Sequence, residues 1–225
     1  MRTTKSEILA NLKRTGGSSI EELATSLGLA RMTVRQHLAM LERDTLVSSR
    51  EVRRATGRPH YVFSLTDRGE EMFPKRYDRL AGLILEEVSL LDGAEISGLT
   101  PAEKRHLLFD KMVGRLHIQY EAKVAGKALK ERVEAVAGIL DEEGGFAEWR
   151  PVNGGFEIAD YNCVYRRVVD SHDDLCDWHL SLLSRLLGND VSCTQFMSKG
   201  AECCRFVVEG GEAAAPAQTE EREAR

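Results

Sequence analysis

The sequence predicts an α+β protein, and three observations carry that reading. The chain opens with two short amphipathic helical periods followed by alternating apolar residues. A stretch without proline runs from about Glu103 to Glu143. Beyond it, short extended runs broken by Gly-Gly pairs surround a single helical segment. With 225 residues, 42% of them hydrophobic and 30% charged, the composition is that of a globular chain with room for a substantial core. Apolar runs are only a few residues long, too short to span a membrane. The opening "MRTTKSEILANLKR" has neither an apolar signal core nor a cleavage site, so a cytoplasmic protein is expected.

The segment "SIEELATSLGLARMTVRQHLAMLERDTLV" reads as two helices around a tight turn. Ser19 and Glu22 have capping-box spacing, in which each side chain satisfies the other's backbone donor. Ile20, Leu23, Ala24 and Leu27 share one face, and Gly28 is the natural stop. Val34, Leu38 and Leu41 form a second apolar face. The opposite face carries Arg31, Thr33, Arg35 and Gln36. This is the layout of a helix-turn-helix, whose second helix enters the major groove of double-stranded DNA. Arg and Gln there reach base edges, and Thr33 reaches phosphate or base.

Two extended runs follow in "LVSSREVRRATGRPHYVFSLTDRG", with Tyr61, Phe63 and Leu65 alternating as on a half-buried strand. Between the runs, Arg53, Arg54 and Arg58 surround Gly57. Such a basic wing lies along a phosphate backbone or inserts Arg58 into the minor groove. Charge agrees. Residues 1–69 carry 12 Lys and Arg against 7 Asp and Glu, while the rest carries 19 against 29. A basic head on an acidic body points the head at a polyanion. Residues 1–69 are therefore assigned to a winged helix-turn-helix domain, with a protein-binding winged helix as the competing reading. His37 and His60 are expected to make local hydrogen bonds.

Residues 70–145 are expected to be helical. Leu80, Leu83, Ile84 and Leu91 suggest one amphipathic helix after Pro74, and Pro101 marks the start of another. Phe109, Met112, Val113 and Leu116 form one stripe; Leu129, Val133, Val136 and Leu140 form a second. Helices this long commonly pack on a partner. Helix-turn-helix proteins generally read two half-sites with two-fold symmetry. The region is therefore assigned to dimerisation, and a homodimer on an inverted-repeat operator is expected. Packing within one chain is the alternative. His106 and His117 are placed on the helix surface or the dimer interface.

Residues 146–209 read as a small α+β domain rich in cysteine, and 210–225, rich in Ala, Glu and Pro, as a disordered tail. The first 162 residues contain no cysteine. Cys163 is expected at a strand end, Cys176 on a helix from about Ser171 to Leu187, Cys193 on a third strand, and Cys203 and Cys204 on the last. In a reducing compartment such a group points to metal or redox chemistry rather than disulfides. Iron and zinc both favour thiolate, and iron–sulfur clusters are usually held by Cys. Adjacent strand residues face opposite sides. Cys204 then shares its face with Phe206 and Val208, and Cys203 with Arg205. The expected metal ligands are Cys163, Cys176, Cys193 and Cys204, with Cys203 and His179 in reserve. His179 follows Cys176 by three residues on one helical face, a zinc-like spacing, although a capping or core role is the alternative. Trp149 and Trp178 are read as core or as shielding around the site, and His172 as a helix cap.

Taken together, "SIEELATSLGLARMTVRQHL", "TGRPHYVFSLTDRG", "YNC" with a further cysteine after twelve intervening residues, and "GAECCRF" resemble the SufR-type regulators over roughly residues 5–209. The resemblance implies a dimeric winged-helix transcription factor with a C-terminal iron–sulfur cluster (4Fe-4S or 2Fe-2S). It implies a repressor of cluster-assembly genes that acts when its own cluster is present. By position, Cys163, Cys176 and Cys204 match the family's first, second and last cysteines. The third falls near Asn189, whereas this chain has Cys193 four residues later. Cys193, or a His, oxygen or nitrogen ligand, then completes the site. No Gly-x-Ser-x-Gly, phosphate loop or His-Glu-x-x-His is present, so no enzyme is expected. A metal-free thiol switch, a zinc site and a small-molecule pocket are the alternatives to a cluster.

Overall fold

Thr3 and Ser6 close a capping box at the start of α1 (Thr4–Thr15) in the computed structural model, which describes residues 3–52 and 60–210. A two-residue strand, β1 (Ser18–Ser19), leads into α2 (Ile20–Leu27). The expected box forms there: Ser19 Oγ accepts the Glu22 N–H at 3.3 Å, and Glu22 Oε2 accepts the Ser19 N–H at 2.7 Å. Gly28 ends the helix at φ 65°, a left-handed conformation that costs glycine nothing. α3 (Arg31–Arg43) buries Val34, Leu38 and Leu41 against α1 and α2.

β2 (Val47–Val52) and β3 (His60–Leu65) pair antiparallel, and β1 lies on the other side of β3. Phe63 is 7% exposed and joins the core, as the alternation predicts. Tyr61 on the same face is 56% exposed, so the core covers only one end of this hairpin. Arg53, Arg54 and Arg58 lie outside the described residues. α4 (Asp67–Glu70) packs Gly69 so closely that a Cβ would stand 2.1 Å from Leu46 O, which only glycine permits.

The second body begins with α5 (Tyr77–Leu90), α6 (Gly93–Ile96), α7 (Pro101–Val124) and α8 (Leu129–Glu142). Pro101 stands in the first turn of α7, behind a Thr100–Glu103 capping box. Strands β4 (Ala147–Val152) and β5 (Gly155–Asp160) follow, then α9 (Arg166–Val169), α10 (Asp174–Leu187), β6 (Val191–Gln195) and β7 (Cys204–Glu209). The sheet order is β4-β5-β7-β6 with antiparallel neighbours, so β6 is an edge strand. α10 starts three residues later than expected, and His172 is exposed and does not cap it.

The stripes expected to meet a partner are instead inside the chain. Met112, Val113, Leu116, Val133 and Val136 are each at most 2% exposed. They share one core with Ile158, Leu183 and Phe206, where α7, α8 and α10 pack together over the sheet. A helical period shows that a face needs an apolar neighbour; it does not say which chain supplies it. The proline-free stretch is also two helices, turned at Gly126 with φ 72°. The expected boundary at 145/146 therefore cuts through a single core. Leu85, Val88 and Leu90 on α5 and Ile118 on α7 are the large apolar residues left exposed on these helices. Among the described residues, no helix is long and apolar enough to cross a membrane.

The two bodies meet at Phe146. Its ring stands edge-on to Phe73 at 5.2 Å, with the Arg14 guanidinium 5.6 Å above it, and Arg14 also pairs with Glu148 at 2.8 Å. Met112→Ala should destabilise the protein by about 2–5 kcal/mol through a core cavity. Urea unfolding at two protein concentrations tests this, because an intramolecular core predicts the same loss at both.

Candidate functional site

Two regions collect the chemistry. On α3, Arg35 and Gln36 are exposed and make no side-chain hydrogen bond or ion pair among the described residues. Thr33 is half-buried. Arg31 is exposed and pairs with Glu21 of α2. An exposed pair of this kind is weak, so it does not withhold Arg31 from a phosphate. Arg50 on β2 adds an exposed basic group that the sequence reading missed. His37 and His60 depart from expectation: the Nδ1 of each is buried without a partner among the described residues.

The second region is built by four segments of the C-terminal body. Cys163 lies in the loop after β5, Cys176 in the first turn of α10, Cys193 on β6, and Cys204 opens β7. Cys163, Cys176 and Cys204 line an apolar pocket of about 90 Å³, together with His179, Trp178 and Tyr165. Cys193 does not line the pocket; it lies on β6 opposite Phe206, on the same face of the sheet as Cys204. Cys204 also accepts the Met197 N–H at 3.4 Å, and the Cys193 thiol donates to Gln195 O at 2.9 Å. Cys176 contacts Ser198 Oγ at 3.7 Å.

Burial pushes the Cys163 thiol up to about 11 and raises Cys176. The neighbouring Cys193 thiol, followed by burial, raises Cys204; the same neighbour relation, seen from Cys193, lowers Cys193. Binding a metal at these positions would release protons, since the thiolate is the ligand. His179 reaches the pocket as a neutral imidazole, because burial pushes it down to about 4, and its ring meets Phe206 edge-on at 5.4 Å. Cys203 is buried on the other side, in a separate cleft with Arg205 and Tyr161. The two cysteines thus face different clefts, but β7 begins at Cys204, so Cys203 precedes the strand on which it was expected. Trp178 is buried between Phe109 and Tyr165, and Trp149 packs on Phe156 away from the pocket. Among the described residues, no group of three or more His, Cys, Asp or Glu side chains is arranged to hold a single metal ion.

Two residues that the sequence reading passed over support this region. Asn162, inside the quoted "YNC", has no exposed surface. Its Nδ2 donates to Pro74 O at 2.9 Å and Gly144 O at 2.7 Å, and its Oδ1 accepts from Lys75 Nζ at 3.0 Å. Its backbone N–H donates to Gly145 O at 2.8 Å. One side chain thus ties the cysteine loop to the connector that leaves the winged-helix body. Arg76 N–H adds a bond to Val164 O at 3.0 Å. Asp160, beside the same pocket, is buried, and its carboxyl is pushed up to about 7 by desolvation, despite accepting the Asn162 N–H at 3.1 Å. Neither signal is visible in a linear motif.

Residues 1–47 match the sequence family described as winged helix-turn-helix DNA-binding. The N-terminal body is thus a winged helix-turn-helix DNA-binding domain. No curated protein matches the chain. Among solved structures, the crystal structure of Bacillus subtilis PadR in complex with operator DNA is similar at 20% identity. The match covers 64% of this chain and 90% of that one, with a TM-score of 0.30. At that score the folds overlap only loosely, and the assignment of the N-terminal domain rests on the sequence family.

Asn162→Ala strands two buried carbonyls and the Lys75 ammonium, and should cost about 2–4 kcal/mol in denaturant unfolding. Asp160→Asn should act through pH. The native carboxyl binds its proton more tightly than the unfolded one, so its contribution falls as pH rises from about 4 to about 7. The variant should gain stability relative to wild type across that window, by at most about 4 kcal/mol, and the gain should then level off. Thermal melts from pH 4 to 8 measure the difference.

Proposed function

We propose that this chain is a homodimeric transcription regulator, acting as a repressor, whose hold on an inverted-repeat operator is set by an iron–sulfur cluster (4Fe-4S or 2Fe-2S). Cys163, Cys176, Cys193 and Cys204 would hold that cluster. The observation that carries the reading is that Cys163, Cys176 and Cys204 line one apolar pocket, with Cys193 on the strand beside Cys204, in a chain whose first 162 residues lack cysteine. The donor chemistry fits: thiolates are the usual cluster ligands, and an apolar shell limits solvent at the site. When bound, the cluster would supply iron–sulfur bonds across the four segments that respond to iron supply and oxidants.

The protein's own residues supply the rest. Exposed Arg35 and Gln36 would read base edges, Arg31 and Thr33 would hold the backbone, and Arg53, Arg54 and Arg58 would form the wing contact. Two-fold symmetry of the operator calls for two copies, and exposed Leu85, Val88, Leu90 and Ile118 offer an apolar face for the second. Asn162 is the link, because it fastens the loop of Cys163 to Pro74 and Lys75. A ligand shifts such an equilibrium only by its differential affinity for two states, so DNA affinity must differ with and without the cluster.

Arg35→Ala should relax selectivity at one base pair by about 1–3 kcal/mol in operator-variant titrations. Protein purified without air should be brown and contain iron and sulfide. Cys163→Ser, Cys176→Ser, Cys193→Ser and Cys204→Ser should each lose that colour, while Cys203→Ser keeps it. Operator titration is then expected to show tighter binding for the cluster-bound form. Equal affinity for the bound and chelator-treated forms would remove the sensor reading.

A further inference from the structure

We propose that Cys193 and Cys204 are a modification site, a dithiol that a hydroperoxide converts to an intrachain disulfide and a thiol reductant restores. Two geometric facts support this pair over the other cysteines. The register places Cys193 opposite Phe206, two residues beyond Cys204, so both thiols stand on one face of the sheet. The irregularity between Cys193 and Gln195 gives the strand local freedom to bring the two sulfurs to a bond of about 2 Å. Cys193 is also on the edge strand β6, where a small oxidant arrives without unfolding the sheet. The remaining cysteines lack these features. Cys203 is buried on the opposite side, Cys176 meets a serine hydroxyl, and Cys163 belongs to a loop held by Asn162.

The chemistry balances with hydrogen peroxide as the two-electron oxidant. The Cys193 thiolate attacks one peroxide oxygen, the O–O bond breaks, and hydroxide leaves, giving a sulfenic acid. The Cys204 sulfur then attacks the sulfenic sulfur. The S–O bond breaks, its oxygen leaves as water, and the S–S bond forms. In net terms two thiols and one peroxide give one disulfide and two waters. The disulfide stands independently of the cluster reading. Its consequence rests on that reading: an oxidised chain would lack two of four cluster ligands and could not be loaded until reduced.

Cluster-free protein treated with one equivalent of hydrogen peroxide should lose two hydrogens in intact mass. Lys199 separates the two cysteines, so trypsin should yield the Cys193 peptide linked to the Gly200–Arg205 peptide. Cys203→Ser should keep the link, Cys193→Ser should abolish it, and dithiothreitol should reverse it. A link between Cys163 and Cys176, a Cys203–Cys204 bond, or oxygen addition without any link would overturn the proposal. Reconstitution with ferrous iron and sulfide separates the two readings. Uptake by the reduced form alone supports the gating, and equal uptake by both forms refutes it. If neither form takes up iron, the cluster reading fails while the peptide map still decides the disulfide.

Discussion

The side chain of Asn162 is the constraint on which the arrangement of the two bodies depends. A fully buried amide must find partners for its polar atoms, because each one left unpaired costs a desolvation penalty. Here the partners are Pro74 O, Gly144 O and Lys75 Nζ, from two other segments. Satisfying Asn162 therefore fixes three loops at once: the connector after the winged helix, the end of α8, and the loop that presents Cys163. Lys75 is half-buried, and its ammonium also reaches toward Cys163 O at 3.5 Å. Burial lowers its pKa, followed in effect by Lys13, so the contact with Asn162 also relieves an ammonium held partly out of water.

The junction at Phe146 works with this hub. Phe146 has φ 57°, a conformation that is uncommon for a residue with a bulky side chain. The ring contacts with Phe73 and Arg14 hold it there. Gly144 and Gly145 precede it, and a Cβ at either would stand within 3 Å of Pro74 or Asp160. The turn out of α8 is thus tight on both sides, and it faces the same connector that Asn162 grips. Nearby, Arg79, Tyr120 and Glu143 form a closed hydrogen-bonded set. Burial opposes the charge on Glu143, but the bonds from Arg79 and Tyr120 outweigh it and hold its carboxyl low. These polar groups form one wall of the thiol pocket.

The pocket itself combines stiffness and reach. Cys176 rides on α10, whose Leu175, Trp178, Leu182 and Leu183 are anchored in the core. Cys204 opens a central strand. Cys193 lies on an edge strand, which carries fewer constraints. The Cys163 loop is held by Asn162 to the connector that leaves the winged-helix body.

What the sequence by itself determined is whatever closes within a few residues. The Ser19–Glu22 box, the stop at Gly28 and the Thr100–Glu103 box with Pro101 depend on bonds spanning three or four positions, so spacing specifies them. The alternation that puts Cys204, Phe206 and Val208 on one face of β7 is equally local. The presence of thiols in one quarter of the chain was legible as well. Tertiary structure alone decided the rest. The stripes at Met112 and Val133 recorded a need for an apolar neighbour, and the answer, α10 and the sheet, came from other elements of the same chain. Asn162 finds Pro74 across 88 positions, and Cys193 finds Cys204 only through the register of β6 on β7. Such contacts depend on which buried polar and apolar groups the whole fold brings together, and no short-range period encodes that.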